Sequence, residues 1–488
     1  MKNKIFISIL VLCSVCSCDF LKETSQNLVK PQTVQEYKEL LYGEVLTKSS
    51  DLGIAQYMDF MTDDVEDYNY YGIDPMPVSN DFREPMWSYY TWQQNPEIGL
   101  NNTNYSDDAW KVLYHRILMC NILLDKIPTM IGSQKEKEDI AGESYFMRAL
   151  SYFMLANLYA APYEEGTADV EACVPINTES GVDDRELTRA SMREVYDLME
   201  SDIKASISHF KASGIKKTMF RPNIDAAYIL ASRIALFEKK YDDVINYCNE
   251  LLKTTQAELY VMTSKRQKRY VFIKYDNPEI VFSYGKGSVN KYMQRDAAYK
   301  GTFRVSDELV NLFKNGDYRW IYDYSQNKMK QNLPYEKICE FYTPLKWYDQ
   351  VSKIFPNTFR LSEAYLNRAE AYANKGDNVN ALKDLNEIIS RRSKVGTYDS
   401  NPADVKQAIK DERRREFAFE GLRWFDIRRY GITDITHTYH SIVDEKVGDT
   451  YKFPGKESYI LPVPENEKKK NLEIQSFPRP ESKPINKK

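Results

Sequence analysis

The chain has 488 residues, of which 42% are hydrophobic and 28% charged, enough to bury a large core. Its 67 Lys and Arg against 71 Asp and Glu give a formal net charge of -4, without the basic excess that a nucleic-acid surface needs. Tyr is abundant, at 37 residues against 19 Gly, and its apolar ring with a polar tip suits cores and wet binding surfaces alike.

The first residues read as an export signal. Lys2 and Lys4 precede a short apolar run over residues 5–12, well under the ~20 residues of a membrane-spanning helix. Val15, Ser17 and Cys18 then supply an aliphatic residue at −3, a small one at −1 and Cys at +1, the pattern of a lipobox. Cys18 is therefore expected to be the lipidated first residue of the mature chain. Cys16 fits less well, since Val15 would be its −1 residue, and an ordinary signal peptide cut nearby is the alternative. With 1–17 assigned to the signal peptide, residues 18–488 contain no low-complexity stretch or long linker. They are read as one domain, with an N-terminal part over about 18–260 and a C-terminal part over about 261–488.

Next comes an irregular stretch over residues 59–102, rich in Tyr, Pro, Asn and Asp. A sugar-binding surface needs flat apolar faces for C–H groups beside amides, carboxylates or guanidinium groups for hydroxyls. Tyr70, Asn80, Asp81, Arg83, Trp87, Tyr90 and Trp92 offer that mixture and are the candidate ligand-binding residues; packing beneath a long loop is the alternative. If the segment is extended, Tyr90 and Trp92 share a face and Trp87 points away, unless the chain bends near Pro85. Asp63, Asp64, Glu66 and Asp67 lack the spacing of a calcium loop and are expected to be solvated.

Helical periodicity dominates the rest. Residues 110–127 place Trp110, Leu113, Tyr114, Ile117, Cys120 and Leu124 on a helical repeat. A tetratricopeptide-like pattern begins at Glu143, with Tyr145, Ala149 and Tyr152. It recurs over 226–252, where Tyr228, Ser232, Ala235, Val244 and Cys248 match but Lys239 replaces the turn Gly. The best copy, over 363–389, carries Tyr365, Ala369, Tyr372, Gly376, Ala381 and Leu385. These copies do not abut at the ~34-residue period of a solenoid, so helical pairs are expected to form a scaffold with long excursions between them. One excursion, 260–350, has strand-like pieces at 269–273 and 279–283, and Trp347 and Tyr348 as further aromatic candidates.

Of the later cysteines, Cys120, Cys173, Cys248 and Cys339 are widely spaced, which argues against zinc. Buried thiols are expected at Cys120 and Cys248, which sit in amphipathic helical patterns, a disulfide between two of the four being the alternative. Residues 411–431 read as one helix stacking Glu412, Glu416 and Glu420 at i, i+4. Ion pairing with the interspersed Arg is the structural reading; a pair of hydrolytic carboxylates is the catalytic one. His437 and His440 have no apparent third partner for a metal.

Three stretches together carry a resemblance. They are the lipobox with Asp19-Phe20-Leu21 and residues 36–43; residues 360–371, Arg-Leu-Ser-Glu-Ala-Tyr-Leu-Asn-Arg-Ala-Glu-Ala; and the 412–431 segment with its ending at 459–467, Tyr-Ile-Leu-Pro-Val-Pro-Glu-Asn-Glu. In order and spacing the chain resembles the SusD/RagB family of outer-membrane nutrient-binding lipoproteins. The finish departs from the family pattern, with Gln475-Ser476-Phe477-Pro478 and a basic tail. The resemblance implies a mainly α fold, with tetratricopeptide-like helical pairs as scaffold, an irregular binding half and a few short strands. It also implies a surface-exposed lipoprotein that binds a glycan, or less often a peptide, without catalysis or cofactor, and delivers it to a SusC-type TonB-dependent barrel. A surface glycoside hydrolase and a pure interaction scaffold are the rival functions.

Overall fold

The computed structural model describes residues 30–47, 56–67, 80–103, 108–181, 186–264, 271–285, 293, 303–322, 324–329, 339–344, 352–440 and 448–487; the side chains of 56, 80–83, 102, 321–322, 324–329 and 339–344 are outside the description. The signal segment, Cys18, Tyr70, Trp347 and Tyr348 therefore lie outside the described residues.

In chain order the first half runs α1 (Val34–Leu41), a π turn (Tyr42–Leu46), β1 (Val65–Asp67), α2 (Asn80–Tyr90), α3 (Ala109–Lys126), α4 (Gln134–Tyr159), α5 (Met192–Ser213), α6 (Ile224–Phe237) and α7 (Tyr241–Thr254). The second runs β2 (Ile280–Tyr284), β3 (Phe303–Val305), α8 (Asp307–Leu312), α9 (Arg319–Tyr322), β4 (Tyr324–Met329), β5 (Cys339–Pro344), β6 (Asn357–Arg360), α10 (Leu361–Asn374), α11 (Asn378–Arg392), α12 (Val405–Phe417), α13 (Arg423–Tyr430), β7 (Thr436–Tyr439) and β8 (Asp449–Lys452). The described strands pair antiparallel as β1–β3, β2–β6, β4–β5 and β7–β8. Of the strand-like pieces read from the sequence, 279–283 forms β2, whereas 271–273 is irregular.

Local chemistry sets the helix starts. Thr33 with Glu36, Ser133 with Glu136 and Ser191 with Glu194 close capping boxes on α1, α4 and α5, each satisfying backbone N–H groups that the first turn leaves free. Gly142 lets α4 and α5 approach closely, since a Cβ there would meet the Phe210 ring at 2.6 Å.

The tetratricopeptide copies, separated in sequence, are joined in space. α3 to α7 pack each on the next, and α7 then packs on α10, which pairs with α11 and α12. Polar side chains make the join. Asn367 Nδ2 donates to Ser232 Oγ (3.0 Å), Arg368 Nη1 reaches Asn249 Oδ1 (2.7 Å), and buried Arg233 grips Glu363 through two bonds of 2.6 and 2.7 Å. The weak copy keeps the turn geometry without its glycine: Lys239 sits at φ 62°, where Gly376 sits at φ 83°. A left-handed non-glycine residue costs about 1–2 kcal/mol, partly offset by the extra unfolded-chain entropy of glycine, so Lys239→Gly is expected to stabilise by roughly 0.5–1 kcal/mol. A lower urea midpoint for that variant would contradict this account.

The segment over 411–431 is two helices rather than one. α12 stops at Phe417, the chain turns through Phe419 (φ 62°) and Gly421 (φ 73°), and α13 restarts at Arg423. The acids are nevertheless structural. Glu416, 1% exposed, accepts from Arg360 Nη1 (2.7 Å), Arg392 Nη2 (2.8 Å) and Arg319 Nη1 (3.2 Å). Glu412 takes Arg319 Nη1 (2.7 Å), Glu279 takes Arg360 and Arg392 (both 2.6 Å), and Glu420 takes Arg360 Nη2 (2.7 Å). One buried network thus ties α12 to β2, β6, α9 and α11.

Cys120, Cys173 and Cys248 are buried free thiols, and burial pushes each up to about 12; no disulfide links these three.

Candidate functional site

β1, β3, β7 and β8 share one end. β1 pairs β3 with Asp67 opposite Phe303, so the chain leaves β1 and enters β3 at the same edge. β7 lies against β1, and β7 ends and β8 begins with Tyr439 opposite Asp449. His440, just past β7, donates its backbone N–H to Asp67 Oδ2 (2.7 Å) and holds Nδ1 3.1 Å from the same oxygen. The connections after Asp67, before Phe303 and after His440 therefore all spring from one rigid base, the usual arrangement of a binding surface. β5 lies beside β3 and brings the β4–β5 hairpin alongside.

Two of the candidate aromatics build this base instead of its surface. The Tyr90 hydroxyl accepts from the Asp67 N–H (2.9 Å) and donates to the Thr438 carbonyl (3.2 Å), pinning β1 to β7. Trp92 Nε1–H donates to the Met61 carbonyl (3.0 Å). The His437 ring is sandwiched between them, with centroids 4.2 Å from Tyr90 and 4.3 Å from Trp92, both stacked. Both aromatics are 0% exposed, so neither offers a face to a ligand. His437 nitrogens lie 2.7 Å from the Tyr90 carbonyl and 3.0 Å from the Thr62 carbonyl, and burial lowers the ring's pKa to about 4. Its nitrogens are thus occupied by backbone, and among the described residues no cluster of three His, Cys, Asp or Glu is placed to hold a metal.

The extended reading of this segment is also corrected. Residues 80–90 form α2 with Pro85 inside it, and Trp92 follows in a left-handed conformation (φ 54°) that turns its ring inward. Tyr89 stacks on Tyr57 (4.2 Å) beneath the helix. Positions 80, 83 and 87 fall on one side of a helix by their spacing. Asn80, Asp81 and Arg83 lie in its first turns, their side chains outside the description. Trp87 remains half-buried, its ring edge-on to Tyr451 at 6.3 Å. Gly99 packs directly on the helix, where a Cβ would lie 2.3 Å from the Glu84 carbonyl oxygen. Trp320, which sequence reasoning passed over, is a second half-buried indole at the start of the β4–β5 hairpin, tilted against Phe313 at 5.3 Å.

The acidic run is not a solvated loop. Asp63 accepts from Arg423 Nε (2.8 Å) and Nη2 (2.6 Å), Asp64 from Arg414 Nε (2.6 Å), and Glu66 pairs with Arg304. Burial would raise Asp63, but Arg423 and Arg414 hold it below its ordinary value; burial does raise Asp64. The Asp63 and Asp64 pairs fasten the base to α12 and α13. The signal for the Asp63 and Asp64 pairs lay in the arginines of residues 411–431, some 350 positions away.

Comparisons with known proteins agree with this architecture. A family model described as starch-binding associating with outer membrane, SusD-like, matches residues 33–236, and one described as SusD family matches residues 325–480. A Formosa agariphila protein, SusD-like protein P25, is 22% identical, covering 88% of this chain and 90% of its own length. A SusD superfamily crystal structure from Bacteroides thetaiotaomicron superposes with a TM-score of 0.70 at 22% identity, covering 92% of this chain and all of that one. A putative sugar binding protein from Bacteroides vulgatus gives 0.69 at 21%, covering 92% and 99%. With one such model on each half and the same fold throughout, the chain belongs to the SusD/RagB family.

Proposed function

We propose that this protein is a cell-surface lipoprotein of the outer membrane that captures a glycan at the edge bearing Trp87 and delivers it to a SusC-type TonB-dependent barrel. The observation that carries the reading is the shared base of the three connections, in a chain of this family. Asn80, Asp81, Arg83 and Tyr70 belong to the same edge in this proposal and would supply hydroxyl contacts around the indole. The relative from Bacteroides vulgatus, described as a putative sugar binding protein, supports the ligand class. Cys18 would attach the chain to the membrane, and no described helix is long and apolar enough to cross one. Labelled fatty acid is expected in the wild-type protein and not in Cys18→Ala; label retained by the variant would place the anchor elsewhere.

Glu416, one of the two carboxylates of the hydrolase alternative, is poorly suited to act as its acid. A general acid must hold its proton near neutral pH, whereas burial, which alone would raise Glu416, is overcome by Arg392 and Arg360, which keep it well below the carboxylate range.

The test is titration calorimetry with the best oligosaccharide from a glycan array. Trp87→Ala is expected to weaken binding by ~1–3 kcal/mol, taking base-on-aromatic stacking as the guide, with thermal stability little changed. Unaltered affinity would remove Trp87 from the site, and binding of peptides alone would favour the peptide-binding alternative.

A further inference from the structure

We propose that a second ligand site lies on the helical scaffold, in the cleft between α1, the first half of α4 and the connection over residues 214–221, and that it takes a neutral, hydroxyl-rich ligand such as the end of a sugar chain. The cleft encloses about 400 Å³, within the ~300–1,000 Å³ of small-molecule sites. Nothing in the loop-bearing edge contributes to it.

Its floor is a fixed array of charges. Asp139 and Glu143, one turn apart on α4, are 1% and 0% exposed. Lys217 Nζ lies 2.7 Å from Asp139 Oδ1 and 2.9 Å from Glu143 Oε1, Lys38 Nζ lies 2.7 Å from Asp139 Oδ2, and Arg221 Nε lies 2.9 Å from Glu143 Oε1. Burial would raise the Glu143 carboxyl, but Lys217 and Arg221 hold it below its ordinary value. With Glu39 on the wall, three carboxylates balance three cations. An ion would have to break these contacts to bind, whereas a hydroxyl can add to them. Capacity for that remains on the Lys38 side chain, which is 20% exposed with further N–H groups to donate.

The rim supplies the apolar face. Tyr42 is 41% exposed, braced by the Phe355 ring at 6.4 Å. It stands at the start of the π turn, where Thr47 N–H bonds the Tyr42 carbonyl (3.0 Å), and such turns are rare and frequent at functional sites. An open aromatic beside rigid, charge-balanced donors and acceptors is the pairing that a pyranose with apolar C–H faces and a ring of hydroxyls requires.

The experiment uses the mature protein and saturation-transfer NMR with the methyl α-glycosides of glucose, galactose and mannose at millimolar concentration. Binding that survives Trp87→Ala is expected to weaken about tenfold on adding either Tyr42→Ala or Thr218→Trp. Both positions are exposed; the first removes the platform and the second fills the cleft, leaving the ion pairs intact. Folding is checked by unchanged melting. Full-strength binding in both added variants, no glycoside bound in the Trp87→Ala background, or displacement by phosphate or putrescine alone would each overturn the proposal. Failure of the loop-edge reading is distinct: it appears as no effect of Trp87→Ala while Tyr42→Ala still weakens binding.

Discussion

Glu416→Gln is expected to destabilise the protein by ~3–5 kcal/mol, because removing one member of a buried charge network leaves its partners uncompensated. Three guanidinium groups, those of Arg319, Arg360 and Arg392, converge on this carboxylate, and Arg319, Arg360 and Arg392 are themselves 0–1% exposed. The amide keeps the shape but loses the charge and turns one acceptor into a donor. A useful contrast is Glu387, paired with Arg391 on the surface at 37% exposure, whose replacement should cost less than ~1 kcal/mol. Urea denaturation of both variants reads the difference directly. Equal midpoints would mean that the network contributes no more than a surface pair. The same carboxylate predicts a pH dependence. Its folded-state pKa lies well below its unfolded value near 4.5, so its stabilisation is complete above about pH 4.5 and is lost as pH falls further. Between those limits the stability of Glu416→Gln should fall less steeply with acid than that of the wild type.

Trp92→Ala is expected to cost ~3–5 kcal/mol as a large-to-small change in a packed core, and to do so without touching a ligand. The indole covers His437, meets Phe453 edge-on at 5.4 Å and closes a hydrogen bond to Met61. Its removal leaves an unfilled volume beside the base of the loop-bearing edge. Hydrogen exchange should therefore rise first in β1 and β7. If affinity for the best glycan fell while stability and exchange stayed unchanged, Trp92 would be a contact residue after all and its burial would have to open on binding.

The scaffold was legible because its signals are local. Tyr365, Ala369, Gly376 and Ala381 state a helix, a close approach and a turn within one stretch, and the helices at α3, α4, α6, α7, α10 and α11 follow. The candidate site was legible only as a neighbourhood. The aromatic cluster over residues 87–92 drew attention to that segment without revealing its conformation, since Trp, Tyr and an internal Pro favour extended chain by propensity. Here tertiary contacts outweighed propensity: Tyr89 stacks on Tyr57, and Tyr90 and Trp92 clasp His437 from the far end of the chain. The acidic run at 63–67 failed for the same reason. Its partners, Arg414 and Arg423, are remote in sequence, and a single sequence shows charges without showing who neutralises them. Gly421 did mark the break within 411–431, yet the regular spacing of the three acids argued more loudly for a continuous helix.

The three sealed thiols carry a kinetic consequence. If the chain is exported as proposed, it meets an oxidising environment before it is folded, with Cys120, Cys173 and Cys248 open to oxidants and to one another. Once α3, α7 and the connection between α4 and α5 are packed, each sulfur is buried and held far from its thiolate form, and exchange chemistry needs that thiolate. Folding is thus a race that the helices must win against oxidation. A substitution that slows closure is then expected to show itself as disulfide-linked by-products, read on non-reducing gels, even where the folded state keeps its stability.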